Sequence, residues 1–287
     1  MLKFLIHPII ALSFAATAEA IMAVANTPAA AAPALTTPFL KELKNTEIIN
    51  GGLLAANDVP QIQAIFLNEE AHCTGTLVGP KVLLTAAHCC AGKDFTFVRT
   101  GRDSFNIPIK TLEAHPDFPK ELSCASNNMP LDLALKNDIC LAILEDEIKD
   151  ITPMSLTSWH PPTLKEKLFL IGQGLPRLAN RQIGTMFVYK VSDIGASLKN
   201  DAGKVTGDSG DSGGAALRKL ENGQTMYLGT TSTSSRKNGV CGEVPFVTGI
   251  VLSSATSSQN FFKAFAEKHQ VEICGINKTC DATYWNK

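Results

Sequence analysis

The stretch Gly210-Asp211-Ser212-Gly213-Gly214 restricts the fold and the chemistry of this 287-residue chain more than any other. A nucleophilic serine needs neighbouring glycines, because the backbone must turn sharply beside it and present its amide N–H groups. An overlapping copy, Gly207-Asp208-Ser209-Gly210, offers Ser209 as an alternative. Only the second copy is followed by two glycines, so Ser212 is the preferred candidate nucleophile.

A candidate base lies upstream in Thr85-Ala86-Ala87-His88-Cys89, directly after the apolar run of residues 81–84. This position places the imidazole at the end of a predicted strand. Cys73 precedes the apolar run Gly75-Thr76-Leu77-Val78, at a separation that lets a disulfide between Cys73 and Cys89 join the two strands. We therefore expect this disulfide beside His88.

A carboxylate that orients the histidine is expected to enter an apolar strand. A buried acid is tolerated there only if it is hydrogen-bonded to the imidazole. Asp138 fits this demand because it enters the apolar run Ile139-Cys140-Leu141. Asp132 is the alternative, in Leu131-Asp132-Leu133-Ala134-Leu135, but Lys136 and Asn137 interrupt the run that follows it. The pattern favours Asp138 and leaves Asp132 open.

Composition and charge exclude several classes of protein. The chain is 45% hydrophobic and 18% charged, which is typical of a folded protein and not of a disordered one. A formal net charge of -1 provides no basic surplus for a nucleic acid or an anionic membrane. Eight cysteines without a CxxC pair favour disulfides in an oxidising compartment, and we expect no metal site.

The N-terminus has the pattern of an export signal, predicted over residues 1–20. Lys3 precedes the apolar residues 4–16, and Ala18-Glu19-Ala20 is a small-x-small cleavage site; Ala23-Val24-Ala25 is a second one. The apolar run is too short for a stable membrane anchor. Residues 21–47 are rich in Ala, Pro and Thr and predict a propeptide or linker.

From residue 48 onward the pattern changes to short apolar runs separated by Gly, Pro and Asn, which favours antiparallel β-structure. One stretch predicts a helix: residues 258–269, in which Phe261, Phe262 and Phe265 recur at helical spacing after a serine-rich start.

The strings TAAHC, NDICL and GDSGG, in this order, resemble the chymotrypsin/trypsin family of serine endopeptidases over residues 48–269. The resemblance implies an all-β, chymotrypsin-like fold of two packed six-stranded antiparallel β-barrels with a C-terminal helix. The peptidase domain would span residues 48–287. Its parts would be an N-terminal barrel (about 48–157), a C-terminal barrel (about 158–257), the helix 258–269 and an extra tail, 270–287.

The resemblance also assigns roles. Ser212 would attack the scissile carbonyl, His88 would take and return the proton, and Asp138 would hold the imidazole. The N–H groups of Gly210 and Ser212 would form the oxyanion hole. This chemistry implies no cofactor.

Activation follows from Ile48-Ile49-Asn50-Gly51-Gly52, which resembles the mature N-terminus of the family. Cleavage before Ile48 would create an ammonium group that pairs with Asp211 and orders the loop beside Ser212. The alternative stays open that residues 48–52 are only a first strand after a linker, since such a strand would have much the same sequence. Glu47 precedes the cut where trypsin would need Lys or Arg, so we expect a different, unidentified activating protease.

Substrate preference is predicted from alignment with the family. Thr206 stands where trypsins carry an aspartate, Ser232 lies on the strand that pairs with substrate, Thr233 and Ser234 form a pocket wall, and Val244 replaces a glycine. These residues predict a small or apolar residue, and not Lys or Arg, before the scissile bond.

Several positions depart from the family pattern. Gln173 replaces a tryptophan between two glycines, and no cysteine lies near Asp208 to pair with Cys241. Two further candidate disulfides are Cys90 with Cys140 and Cys274 with Cys280. Cys124 lies in an insertion relative to the family.

We therefore expect a monomeric, secreted enzyme, extracellular or periplasmic if bacterial, that acts on proteins or peptides. Two alternatives stay open. A catalytically silent binding protein would normally lack one of the three site residues, and an esterase would have them in another order.

Overall fold

The computed structural model describes residues 52–54, 58–67, 70–90, 95–99, 105–119, 136–156, 160–173, 181–200, 205–235 and 247–283. The predicted residues Ile48, Asp132 and Val244 lie outside these ranges. Most regular structure in the described residues is antiparallel β-sheet.

Six strands close the first barrel in the order β2-β3-β4-β7-β6-β5. Their bounds are β2 Ile62–Leu67, β3 Glu70–Gly79, β4 Val82–Thr85, β5 Phe95–Arg99, β6 Phe105–Ala114 and β7 Cys140–Leu144. Successive side chains of a strand point to opposite faces, and β4 and β7 are buried on both. Leu83 and Leu144 fill the barrel, whereas Leu84 and Leu141 belong to a core shared with other parts of the chain.

The second sheet has the order β1-β9-β10-β13-β12-β11-β8, and an additional pairing of β8 with β9 closes six of its strands into a ring. The strands are β1 Gly52–Leu53, β8 Lys167–Gly172, β9 Gln182–Val191, β10 Gly195–Lys199, β11 Ala215–Lys219, β12 Thr225–Ser235 and β13 Val247–Leu252. Alternate residues at the start of β9, from Gln182 to Val188, are buried. The prediction of two six-stranded antiparallel barrels is confirmed.

The short strand β1 adds a difference of detail. Gly52–Leu53 lies in the sequence range predicted for the first barrel, but it pairs with Gln182 and Ile183 of β9. Leu54 continues this attachment, since its N–H donates to the Arg181 carbonyl at 2.9 Å. The chain therefore touches the second barrel before it enters the first.

Among the described residues, two helices accompany the barrels: α1, Ala87–Cys90, and α2, Thr256–His269. The C-terminal helix was predicted from its phenylalanines, and it begins two residues before the predicted start. Phe261, Phe262 and Phe265 are buried in one core with residues of both barrels. The helix ends at His269, and the next residue, Gln270, caps it with a left-handed backbone and an N–H that donates to the Ala266 and Glu267 carbonyls.

The tail after α2 is tied to both barrels. A disulfide joins Cys274 to Cys280, the Cys274 N–H donates to the Val78 carbonyl, and Thr225 donates to the Thr283 carbonyl, each at 2.8 Å. Within the part of the chain that the structure describes, no helix combines the length and the apolarity that a membrane span requires.

Candidate active site

The geometry of His88 and Asp138 is that of a histidine held by a carboxylate. The Asp138 Oδ2 lies 2.8 Å from the His88 Nδ1, and its Oδ1 accepts the backbone N–H of His88 at 2.9 Å. The Asp138 side chain is fully buried, whereas the His88 side chain is one-third exposed. One ring edge is thus fixed while the imidazole keeps access to solvent.

Asp138 tolerates burial because its oxygens are well supplied with donors. Ser232 of β12 donates its hydroxyl proton to Oδ2, in addition to the two bonds from His88. Burial would raise the pKa of the Asp138 carboxyl, but the hydrogen bonds and charge of His88, together with the Ser232 hydroxyl, outweigh burial and lower the pKa below its ordinary value of 3.8. The carboxyl is therefore ionised at neutral pH.

Strand pairing and a turn before Asp138 bring these two side chains together. Thr85 at the end of β4 pairs with Cys140 at the start of β7, so the residues just beyond each strand end are neighbours. Asn137 adopts a left-handed backbone with φ 55°, which asparagine tolerates better than most residues, and it turns the chain directly before Asp138. Disulfides Cys73–Cys89 and Cys90–Cys140 fix α1 to β3 and β7.

Ser212 lies in the loop of residues 207–214, called the Ser212 loop below. Within it the Asp211 N–H donates to the Asp208 carbonyl at 3.0 Å and the Gly214 N–H donates to the Asp211 carbonyl at 2.9 Å. The Gly213 N–H donates to the Thr231 carbonyl at 2.7 Å. The alternative Ser209 is exposed, whereas Ser212 is half-buried.

The Ser212 loop contacts the segment that carries His88. The Thr74 N–H of β3 donates to the Ser212 carbonyl at 2.8 Å, and this carbonyl lies 3.9 Å from the Cys89 sulfur. Gly213 has φ 85°, and a Cβ there would lie 2.0 Å from the Thr74 carbonyl oxygen and 2.1 Å from the Thr85 hydroxyl. Only glycine permits this approach, which brings the residue after Ser212 against the end of β4.

Two residues beside Ser212 were predicted to have further roles. Gly210, a predicted oxyanion donor, has φ 89°, and its carbonyl accepts the Thr74 hydroxyl at 2.7 Å. Asp211, the predicted partner of Ile48, is buried and accepts the Asp208 N–H at 3.0 Å. Its carboxylate packs against Gly172, where a Cβ would lie 2.2 Å from Asp211 Oδ1.

The predicted specificity residues occupy several settings. Thr206 is fully buried, and its hydroxyl lies 3.0 Å from that of Thr248 on β13, which also accepts the Gly207 N–H at 2.8 Å. Thr233 and Ser234 are half-buried on β12 and pair with Gly249 and Thr248. Ser232 instead contacts Asp138.

Thr74 and Thr248 were not predicted from the sequence as site residues. Each joins segments that are distant along the chain, and a threonine in the strand sequences around them is equally typical of any β-strand. The contact of Ser232 with Asp138 depends on the packing of the two barrels, and no local motif marks it.

One cluster has the composition of a metal site. Nitrogen and sulfur atoms of His88, Cys73 and Cys89 lie within 4.8 Å of one another. Metal binding requires thiolates, whereas these two sulfurs form a disulfide. The described residues therefore offer His88 alone as a ligand at this place.

A histidine on a buried carboxylate, next to a glycine-flanked serine at the junction of two antiparallel barrels, defines the class of chymotrypsin-like serine proteases. The sequence profile of the trypsin family matches residues 48–250. The chain belongs to the trypsin family.

Individual relatives agree with this membership. Snake venom serine proteinase 5 of Crotalus adamanteus is 30% identical over 135 residues, which cover 46% of this chain and 50% of that protein. Serine protease Hayan of Drosophila melanogaster is 26% identical over 164 residues, 51% of this chain and 24% of that protein. The chain thus spans about half the length of the curated relatives it matches, or less.

A solved structure is similar in fold. Neuropsin, a serine protease expressed in the limbic system of mouse brain, superposes with a TM-score of 0.58. The two sequences are 20% identical, and the match covers 78% of this chain and 100% of that chain. At this level of identity the likeness concerns the fold.

Proposed function

We propose that the chain is a secreted serine endopeptidase that hydrolyses peptide bonds through an acyl-enzyme. The observation that carries the proposal is the buried Asp138 carboxylate on the His88 ring, beside the loop that contains Ser212. This arrangement supports a nucleophile, a base and a group that orients the base.

In the acylation step, Ser212 Oγ attacks the scissile carbonyl carbon while Nε2 of His88 takes its proton. Asp138 keeps the other ring proton on Nδ1 and favours the charged imidazolium. The tetrahedral intermediate then collapses: its bond from carbon to nitrogen breaks, and His88 returns the proton to the leaving amine. Ser212 is left as an ester of the substrate's acyl part.

Deacylation repeats the sequence with water as the nucleophile. His88 takes a proton from water, the hydroxide attacks the ester, and the proton returns to Ser212 as the acid product leaves. The N–H groups of Gly210 and Ser212 would bind the negative oxygen in both steps. All of these groups belong to the chain, and the steps require no cofactor.

We further propose that the chain is made as a zymogen. Export would remove residues 1–20, and cleavage before Ile48 would free an ammonium group for Asp211. The position of Asp211, which is buried and directly precedes Ser212, supports this pairing. Disulfides in the described residues fit an oxidising compartment, extracellular or periplasmic.

The proposed substrates are proteins or peptides with a small or apolar residue before the scissile bond. Thr206 supports this preference, because its neutral hydroxyl pairs with that of Thr248 where a carboxylate would be needed to bind a basic side chain. We propose that the enzyme acts as a monomer and that a separate protease activates it.

A serine-directed fluorophosphonate tests the proposal. After removal of residues 1–47, we expect covalent labelling at Ser212, detected by mass spectrometry of its tryptic peptide, and cleavage of a peptide library after small or apolar residues. Ser212→Ala is the control for labelling, and Ser209→Ala should label normally. A correctly processed chain that is neither labelled nor active would favour the catalytically silent alternative.

A further inference from the structure

Thr74 of β3 is a fully buried residue whose polar atoms all contact the surroundings of the proposed site. Its hydroxyl donates to the Gly210 carbonyl at 2.7 Å and accepts the Gln173 N–H at 2.9 Å. Its N–H donates to the Ser212 carbonyl at 2.8 Å, and its carbonyl accepts the Thr85 hydroxyl at 2.7 Å. One residue of the first barrel thus holds two carbonyls of the Ser212 loop.

Along the chain, the Ser212 N–H lies between the two carbonyls, and the Gly210 N–H directly precedes the first of them. A peptide group is planar, so a fixed carbonyl also fixes the N–H on the other side of the same bond. The Gly210 carbonyl determines the direction of the peptide that leads to Asp211, whose N–H is bound to the Asp208 carbonyl at 3.0 Å. The backbone around Gly210 and Ser212 therefore has little freedom to rotate while Thr74 is in place.

Gly210 is the residue for which this restraint matters most. Its φ of 89° is accessible mainly to glycine. Because glycine has no side chain, it can also leave this conformation at little cost. The Thr74 hydroxyl binds the Gly210 carbonyl and so restrains a residue that has no side chain of its own to limit its backbone.

We infer that Thr74 is a positioning residue for the oxyanion hole, acting through its hydroxyl on the Ser212 loop. The inference rests on the proposed function for its effect on catalysis, whereas its effect on the loop is independent of activity. The loop lies on the second barrel and Thr74 on the first, so the restraint acts across the junction of the barrels.

The test compares three variants of the processed chain. Thr74→Val keeps the shape of the side chain and removes the hydroxyl, and Thr74→Ser keeps the hydroxyl. Thr76→Val is the matched control, because Thr76 is equally buried on the same strand and face. Thr74→Ala, which needs no space for a second methyl group, replaces Thr74→Val if the latter does not fold.

For Thr74→Val we expect kcat to fall roughly 10- to 100-fold, with KM within about twofold, since the oxyanion donors are misplaced but not removed. Binding of a peptide aldehyde, which forms the tetrahedral adduct, should weaken by the same factor as kcat/KM. Thr74→Ser should recover most of kcat, and Thr76→Val should match the wild type. A kcat for Thr74→Val within about twofold of that of Thr76→Val would overturn the inference.

Hydrogen exchange separates this inference from the proposed function. Peptides that cover residues 207–214 should exchange faster in Thr74→Val than in the wild type, and unchanged in Thr76→Val. Equal exchange in all three proteins overturns the inference even if the wild type is active. A wild type that is inactive, with faster exchange in Thr74→Val alone, overturns the proposed function and leaves Thr74 as the residue that holds the loop.

Discussion

At the scale of single residues, Asp138 carries the largest electrostatic demand in the site. Its side chain is fully buried, and a buried carboxylate is tolerated only with hydrogen bonds or an opposite charge. His88 supplies two donors and Ser232 a third. The carboxylate and the Ser232 hydroxyl can be removed by separate substitutions, and each substitution tests the proposed mechanism directly.

Asp138→Asn should lower kcat about 10⁴-fold with little change in fold, because the amide cannot hold the imidazole in the required tautomer. The measurement is kcat on a cleaved peptide. Asp193→Asn is the control, since Asp193 is an exposed aspartate in the turn between β9 and β10. A loss below about tenfold would make Asp132 the better candidate for the orienting carboxylate.

Ser232→Ala should cost roughly 1.5–3 kcal/mol of unfolding free energy at pH 7, since it removes a hydrogen bond to a buried charge. The folded-state pKa of Asp138 is lowered, so its contribution to stability is present above 3.8 and is lost as the pH falls through the folded value. The difference from the wild type should therefore shrink in acid. Denaturant unfolding at pH 7 and below pH 4 measures it.

Ser197→Ala is the matched control, because Ser197 is fully buried on β10 and its hydroxyl has no hydrogen-bond partner among the described residues. A pH-independent loss of the same size in both variants would contradict a special role of Ser232.

Sequence could predict candidate site residues only where they lie in short motifs, and it could not predict those that act through packing. His88, Asp138 and Ser212 each lie in a local string that chemistry explains. Ser232 reaches Asp138 from a distant strand, and Thr74 reaches Gly210 across the barrel junction. Such contacts depend on strand register and barrel packing, which no window of sequence contains.

At the scale of elements, helix α2 docks on the first barrel through its ends as well as its phenylalanines. His115, just after β6, lies 3.4 Å from the Ser257 carbonyl and contacts the Phe261 ring. Glu113 of β6 binds Lys268 and His269 at the other end. The spacing of phenylalanines predicted an amphipathic helix, but β6 as its partner was not evident, because contacts between elements leave no period in the sequence.

His115→Gln should flatten the dependence of stability on pH as the pH falls below 6.5. Burial lowers the pKa of the His115 ring below 6.5, although the Ser257 carbonyl and Asp117 partly oppose it. The unfolded chain therefore takes up a proton first, and the wild type loses stability as the pH falls below 6.5. The glutamine side chain can donate and accept hydrogen bonds but does not titrate. Parallel curves for both proteins, from denaturant unfolding across this range, would argue against His115.

At the scale of the whole molecule, one apolar core joins parts that the sequence presents separately. It contains Leu84 of the first barrel, Ala215 of the second and Phe262 of helix α2. Two barrels could be predicted from the family resemblance. The core that both barrels share with the helix could not be predicted, because such a prediction requires knowledge of the outer faces of β4 and β7.

Phe262→Ala should cost about 3–5 kcal/mol of unfolding free energy, because it leaves a cavity in this shared core. Both barrels should lose the same amount and unfold in one transition, followed by hydrogen exchange in peptides from β4 and β13. Leu164→Ala, at a residue 64% exposed, should change little. Two separate transitions would show that the barrels are energetically independent.

Processing is also a property of the whole chain. We expect the secreted protein to begin at Ile48, as read by mass spectrometry, and to be labelled at Ser212 far faster than the chain that retains residues 21–47. Asp211→Asn should lower the labelling of the processed chain, because the new ammonium group loses its partner. Equal labelling before and after processing would favour a plain linker over a propeptide.

The two disulfides at α1 start from adjacent cysteines, since Cys89 binds Cys73 and Cys90 binds Cys140. An exchange of partners therefore needs a slip of one residue only, and such a slip turns a helix by about 100°. It would rotate the imidazole of His88 away from Asp138 while both strands stayed joined. Recombinant batches of equal mass and full oxidation can thus differ in specific activity, and a host that supplies a disulfide isomerase should give the more active batch.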